Sequence, residues 1–183
     1  SRDIGRRITK EIFGYGEPLN IPYEFFNVSG KKMSASKGIG ASAKEMADML
    51  PPTLLKLLMI RKLPNQPIDF DPTGTTIPEL FDEYDRLADH AFKRHPKPDA
   101  DYARTLALTQ VGVPREKPED VWQMRFTTLS FIVQMPHLNL LKEAATLKAS
   151  DACRGAPAAL PTVLTPDEQR ALEERARYVR SWL

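Results

Sequence analysis

The residues best suited to chemistry in this chain lie in one short run, KMSASKG, from Lys32 to Gly38. Two ammonium groups, Lys32 and Lys37, are separated by small hydroxyl and alanine side chains, and Gly30 and Gly38 stand at the ends. Such a segment can move, wrap a phosphate chain and supply donors without steric obstruction. When a triphosphate loses pyrophosphate, negative charge builds on the departing oxygens. Cations that meet this charge mainly in the transition state raise the rate and not only the affinity. By analogy with the loss of one preorganised donor, a lysine so used is worth about 3 to 4 kcal/mol of barrier. Lys31 precedes the run and Lys44 follows it with no acid between, so positive charge concentrates on one glycine-bounded segment.

Other candidate groups carry less. Asp69 and Asp71 in IDFDP alternate on an extended segment and share a face. No histidine or third carboxylate is close in sequence, so they are taken as a solvated or helix-pinning connector and not a metal site. His90, His95 and His137 sit in HAFKRHP and MPHLNL without the third ligand that zinc requires, and no metal-ligating set is assigned. Asp82 and Arg86 have the spacing of a helix-surface ion pair, worth a few tenths of a kcal/mol. Trp122, Phe126 and Phe131 have the chemistry to stack on unpaired bases, but their helical spacing points to core.

Composition bounds the class. The chain has 183 residues, with 26 Lys plus Arg against 24 Asp plus Glu, for a net charge of +2. This describes a soluble globular chain of one or two domains, and bulk charge is too small to argue nucleic-acid binding. No apolar stretch approaches the roughly 18 to 20 residues of a membrane span, and Ser1 to Glu11 has no apolar signal core. The expected setting is the cytoplasm, with no membrane partner. The single cysteine, Cys153, excludes an internal disulfide and fits a reducing compartment. Sixteen prolines force short elements and exclude one long coiled coil.

The elements that must position the lysine run follow from local pattern. Asn20 to Ser29, rich in aromatic and branched residues, predicts a strand; it finds no pairing partner among its neighbours, which places its sheet upstream of Ser1. Gly30 to Gly40 has neither helical nor strand period and predicts a mobile loop. Ser42 and Glu45 have the spacing of a capping box opening a helix to about Leu50. Pro51 and Pro52 stop that helix and start another over Thr53 to Arg61, apolar on most sides. Leu63 to Thr76 is a connector. Leu80, Phe81, Tyr84, Leu87, Ala88, Ala91 and Phe92 then recur at three- and four-residue steps and form one wall of a helical core.

Beyond a proline-rich joint at His95 to Asp101, Thr105 to Val111 fits a short strand or a helix, with the strand favoured. Phe126 to Val133 and Leu138 to Leu147 predict two helices, and Ala149 to Pro161 a link. Thr165 and Glu168 form a second capping box, opening a helix that runs to the last residue. A chain that ends inside a helix and begins without Met is expected to be a truncated piece.

The run Lys32 to Gly38, following a strand and preceding a capped helix, resembles the lysine-loop signature (KMSKS) of class I aminoacyl-tRNA synthetases. The surrounding residues IPYEFFNVSGKKMSASKG, PPTLLKLLMIRKLPNQPIDFDP and IPELFDEYDRL together look like the class I lysyl-tRNA synthetase, with the resemblance running from about Ile12 to Phe92. It implies a Rossmann-type catalytic domain that carries a histidine signature near its start and the lysine loop near its end, followed by helical stem-contact and anticodon-binding regions. The fold expected here is therefore mainly α: a bundle-like helical region preceded by a short strand and loop that form the tail of the catalytic domain. Residues 1–40 would end that domain, 41–115 form the stem-contact region and 116–183 begin the anticodon-binding domain.

The resemblance also implies ATP with Mg, lysine and tRNA(Lys) as ligands of the parent enzyme. Lys32 matches the first signature lysine, Met33 the methionine, and Ser34 and Ser36 the serines, all as nucleotide contacts. The second signature lysine falls on Ala35, with Lys37 following the second serine. Two accounts stay open: Lys37 takes over the phosphate contact, or the position is vacant. No histidine signature is present, so the piece alone is expected to be inactive. The alternatives are a glutamyl- or cysteinyl-type class I synthetase and a free-standing helical RNA-binding module.

Overall fold

A computed structural model describes residues 2–16, 19–32, 43–112, 120–153 and 163–183. The structure begins with α1 (Arg2–Arg7), which continues into a π-helical stretch, Ile8–Ile12. Neither was anticipated from sequence. No described side chain in this segment is buried, and Ile4, Ile8 and Ile12 face outward.

Three short strands follow: β1 (Phe26–Val28), β2 (Lys31–Lys32) and β3 (Ile68–Phe70). They form one sheet in the order β2-β1-β3, with β1 antiparallel to β2 and parallel to β3. The strand expected over Asn20 to Ser29 is thus shorter than its composition suggested. It also finds two sheet partners within this chain, where none was expected. Local pattern could not show this, because β3 arrives from some forty residues downstream, after two helices.

Those helices are α2 (Ala43–Met49) and α3 (Pro52–Ile60), separated at the two prolines as expected. Ser42, the proposed cap of α2, lies outside the described residues. In α3, Leu54, Leu57 and Leu58 are buried. They meet α4 (Thr76–Ala91), whose buried face carries Ile77, Leu80, Phe81 and Leu87, with Tyr84 packed beside it.

Next comes α5 (Ala100–Gln110), capped by the Asp99 carboxylate, which accepts from the Asp101 amide at 2.8 Å. The strand favoured over Thr105 to Val111 is therefore corrected to helix. The burial pattern shows why: Leu106 is buried and Leu108 is 53% exposed, whereas residues two apart on a strand would share a face.

In the C-terminal half, α6 (Phe126–Val133) buries Phe126, Leu129 and Ser130. Phe126 stacks on Phe81 with ring centroids 4.5 Å apart. Phe131 falls on the opposite side and is 64% exposed, so the core assignment fails for that ring. α7 (Leu140–Cys153) extends into the stretch expected to be a link; residues 154–162 lie outside the described set. α8 (Pro166–Trp182) opens with the expected capping box of Thr165 and Glu168.

Two buried ion pairs lock this half. The Arg175 guanidinium grips Asp85 of α4 through both nitrogens, at 2.6 and 2.7 Å, and donates to the Met124 carbonyl at 2.8 Å. Lys148 of α7 donates to Glu168 at 2.7 Å. The expected Asp82–Arg86 pair does not form among the described residues. Glu83 pairs with Arg61 instead, and Asp85 is drawn to Arg175.

Leu57 has no exposed surface, so Leu57→Ala should lose about 2 to 5 kcal/mol of stability in urea denaturation. A second outcome concerns Glu168. Burial pushes its carboxyl up, but the Lys148 hydrogen bond and charge and the Thr165 and Trp122 amides outweigh it and hold the group below the usual glutamate range. A lowered folded value means that the stability is present above that range and is lost as pH falls through the folded value. Acid unfolding followed by circular dichroism should therefore be steeper in the parent chain than in Glu168→Gln.

Candidate functional site

The lysine run emerges from a two-residue hairpin. Val28 pairs with Lys31 and Asn27 with Lys32, leaving Ser29 and Gly30 as the turn. Their φ values are 48° and 72°. Positive φ at both positions is what a type I′ turn requires, and it matches the twist of the flanking strands. Gly30 adopts this conformation freely, whereas in a non-glycine residue such as Ser29 it costs about 1 to 2 kcal/mol.

The turn is held by the segment that sequence reasoning set aside. The Gly30 amide donates to Asp69 Oδ1 at 3.0 Å, and the Ser29 hydroxyl donates to Asp71 Oδ1 at 3.3 Å. The Ser29 amide donates to the Phe70 carbonyl at 3.1 Å, one step beyond the parallel pairing of Val28 with Phe70. Three consecutive residues of IDFDP therefore grip the two turn residues.

Asp71 is fixed in turn by Thr73, whose hydroxyl and amide donate to the same carboxylate oxygen at 2.9 and 3.0 Å. The Thr73 side-chain and backbone hydrogen bonds, with Ser29 adding to them, hold the Asp71 carboxyl below the usual aspartate range against a small opposing effect of burial. Gly74 passes so close that a Cβ there would stand 2.7 Å from Asp71 Oδ2. The helix-pinning reading of this connector also has a basis, since the Asp71 amide donates to the Thr76 hydroxyl in the first turn of α4.

Lys31 and Lys32, expected at the edge of a mobile loop, instead form β2 with their side chains exposed. Lys32 Nζ lies 3.4 Å from the centroid of the Phe25 ring, a cation–π contact worth about 0.5 to 1 kcal/mol at an exposed site. No carboxylate pairs with either lysine among the described residues. An exposed ammonium that meets a ring face and, among the described residues, no carboxylate suits a phosphate oxygen, which offers it a stronger partner. Met33, Ser34, Ala35, Ser36, Lys37 and Gly38 lie outside the described residues.

The other candidates have structural partners. His90 is buried, accepts from the Asp99 amide through Nδ1 at 3.1 Å, and is sandwiched between the rings of His95 and Tyr102. Among the described residues no group of three His, Cys, Asp or Glu side chains is placed to hold a metal ion. No described helix is long and apolar enough to cross a membrane. Trp122 donates from Nε1 to Asp151 at 3.3 Å.

Residues 1–112 match the family model for class I tRNA synthetases (K). The chain belongs to the class I lysyl-tRNA synthetase family. It is 32% identical over 184 residues to the lysine–tRNA ligase of Thermoplasma volcanium, an alignment covering 100% of this chain and 33% of that protein. With the lysine–tRNA ligase of Archaeoglobus fulgidus the identity is 30% over 187 residues, covering 100% and 32%. With lysine–tRNA ligase 1 of Methanosarcina acetivorans it is 41% over 98 residues, covering 52% and 18%. The chain spans about a third of the length of the first two relatives. Membership of the lysine family sets aside the glutamyl- and cysteinyl-type alternatives.

The missed residues of this site are Ser29, Asp69, Asp71, Gly74 and Phe25. Their one sequence signal was the shared face of the alternating aspartates, and what that face meets lies some forty residues away. Gly74→Ala should displace Asp71 from both Ser29 and Thr73. In amide NMR spectra the Ser29, Gly30 and Thr73 resonances should shift while that of Leu57 stays in place. The depressed Asp71 carboxyl gives a further outcome: these contacts should persist as pH falls through the usual aspartate range and be lost only below it.

Proposed function

We propose that this chain is the part of a lysine–tRNA ligase that supplies the pyrophosphate-contacting lysine loop and the tRNA-contacting helices. In this reading residues 1–40 close a Rossmann-type catalytic domain, 41–115 form the stem-contact region and 116–183 begin the anticodon-binding domain. The observation that carries the proposal is the placement of Lys32, exposed and without an ion-pair partner among the described residues, at the end of a braced hairpin in a chain of this family.

The reaction is the one that cations on this loop can assist. The lysine carboxylate attacks the α-phosphorus of ATP, the bond to the bridging oxygen breaks, and pyrophosphate leaves with the negative charge. Magnesium enters with the nucleotide. The lysyl group then passes from the adenylate to tRNA(Lys), releasing AMP. Lys32 and Lys37 stabilise the leaving pyrophosphate, and Met33, Ser34 and Ser36 shape the nucleotide contact around them.

For the tRNA-contacting helices, a cleft of about 810 Å³ opens between the start of α7 and the outer face of α8. Arg177 and Arg180 line it with Glu173 and Glu174. Lys148 takes no part in any such surface, because its ammonium is buried against Glu168.

The test uses the full-length protein that carries this chain. Lys32→Ala and Lys37→Ala should each slow lysine-dependent ATP–pyrophosphate exchange by about 100-fold or more, with lysine binding nearly unchanged. Ala35→Lys separates the two accounts of the second lysine: little gain if Lys37 already holds the phosphate, a rise in rate if the position is vacant. Near-normal exchange in both alanine variants would take the loop out of the mechanism and leave an RNA-contacting scaffold.

A further inference from the structure

Among the described residues the hairpin that presents Lys32 pairs Asn27 with Lys32 and Val28 with Lys31 around the Ser29–Gly30 turn. In such a hairpin the turn sets the register, and a slip of one residue moves every side chain to the other face. Lys31 and Lys32 are adjacent and chemically alike. A slip would replace the lysine above the Phe25 ring with its neighbour at almost no local penalty. Ser29 makes the problem worse, since it is not a residue that favours positive φ.

The two carboxylates remove this ambiguity. Asp69 Oδ1 receives the Gly30 amide, and Asp71 Oδ1 receives the Ser29 hydroxyl. One therefore reads a backbone donor of the second turn residue and the other a side-chain donor of the first. A shifted turn could satisfy neither. The carboxylates are themselves placed by the parallel register of Asn27 with Asp69 and by the Thr73 hydrogen bonds to Asp71. We infer that Asp69 and Asp71 are positioning residues of the activation step, pinning the Ser29–Gly30 turn in the register that presents Lys32, and not Lys31, to the nucleotide phosphates. The inference rests on the phosphate-contacting reading of Lys32.

Ser29 and Gly30 are exposed and Asp71 is half-buried, and none of the three belongs to the core that holds α3 and α4 together, so removing the pin should not unfold the chain. In the full-length protein, Asp71→Ala should lower kcat for lysine-dependent ATP–pyrophosphate exchange by about 10- to 100-fold, the range expected when a reacting group is misplaced by about an ångström. The lysine KM and the thermal midpoint should stay near the parent values. Asp71→Asn keeps an oxygen that accepts from Ser29 and should recover most of the rate. Ser29→Ala combined with Asp71→Ala should be little worse than Asp71→Ala alone, because both break one link.

The decisive comparison is with transfer of lysine from preformed lysyl-adenylate to tRNA, which releases no pyrophosphate. A positioning role leaves that single-turnover rate unchanged in Asp71→Ala. Equal losses in exchange and transfer, with a lowered thermal midpoint, would show a merely structural role and overturn the inference. Normal exchange in Asp71→Ala beside slow exchange in Lys32→Ala would overturn it while leaving the function of the loop intact. Normal exchange in Lys32→Ala would remove the underlying reading instead.

Discussion

The guanidinium of Arg175 ties the last helix to the middle of the chain, and the packing of the helical half depends on it. A charge 95% withdrawn from solvent is tolerable only when its donors are used. Arg175 directs Nη1 and Nη2 to Asp85, with Nη1 also donating to the Met124 carbonyl, and its Cζ lies 5.1 Å from the Phe81 ring centre. Because Asp85 and Phe81 belong to α4 and Met124 leads into α6, one side chain sets the relative placement of α4, α6 and α8. Replacing such a pair with apolar residues is often neutral for stability, whereas removing one partner strands a buried charge at about 3 to 5 kcal/mol. Its contribution is geometric: few alternative packings could satisfy all these groups at once.

The same logic recurs where α7 meets α8. Glu168 closes the capping box with the Thr165 amide, receives the buried Lys148 ammonium and accepts from the Trp122 amide. A residue that sequence pattern assigns to one helix terminus thus joins three segments. The apolar packing of Phe126 against Phe81 and Trp182 fills the space between these polar anchors. The helices so joined carry the small sheet from which Lys32 projects.

At the sheet, carboxylates again do the joining, but at the surface. Asp69 accepts from the Gly30 amide and Asp71 from the Ser29 hydroxyl, so the two carboxylates brace the turn from β3. Strand β3, which brings them there, is itself fixed by Phe70 in the core and by α4 immediately after it. A continuous path of packed backbone therefore runs from the helical body through β3 to the residue next to the lysine run.

What the sequence determined by itself was whatever repeats or caps locally. The α4 stripe, the proline break between α2 and α3, the Thr165–Glu168 capping box and the lysine-rich run with its family likeness each rest on residues near one another in sequence, and each was legible. Where a local rule failed, a distant partner had decided. Thr105 to Val111 is helical because Leu106 packs inward while Leu108 does not. Phe131 is exposed because α6 spends its single buried face on Phe126 and Leu129. Arg86 does not pair with Asp82 among the described residues, and Asp82 Oδ1 is buried without a hydrogen-bond partner, while neighbouring Glu83 and Asp85 answer to Arg61 and Arg175. Above all, the pairing of β1 with β3 and the grip of Asp69 and Asp71 on the hairpin join residues about forty apart. Hydrophobic period and turn chemistry report which face a residue presents, but the partner that meets that face is chosen only when the whole chain closes on itself.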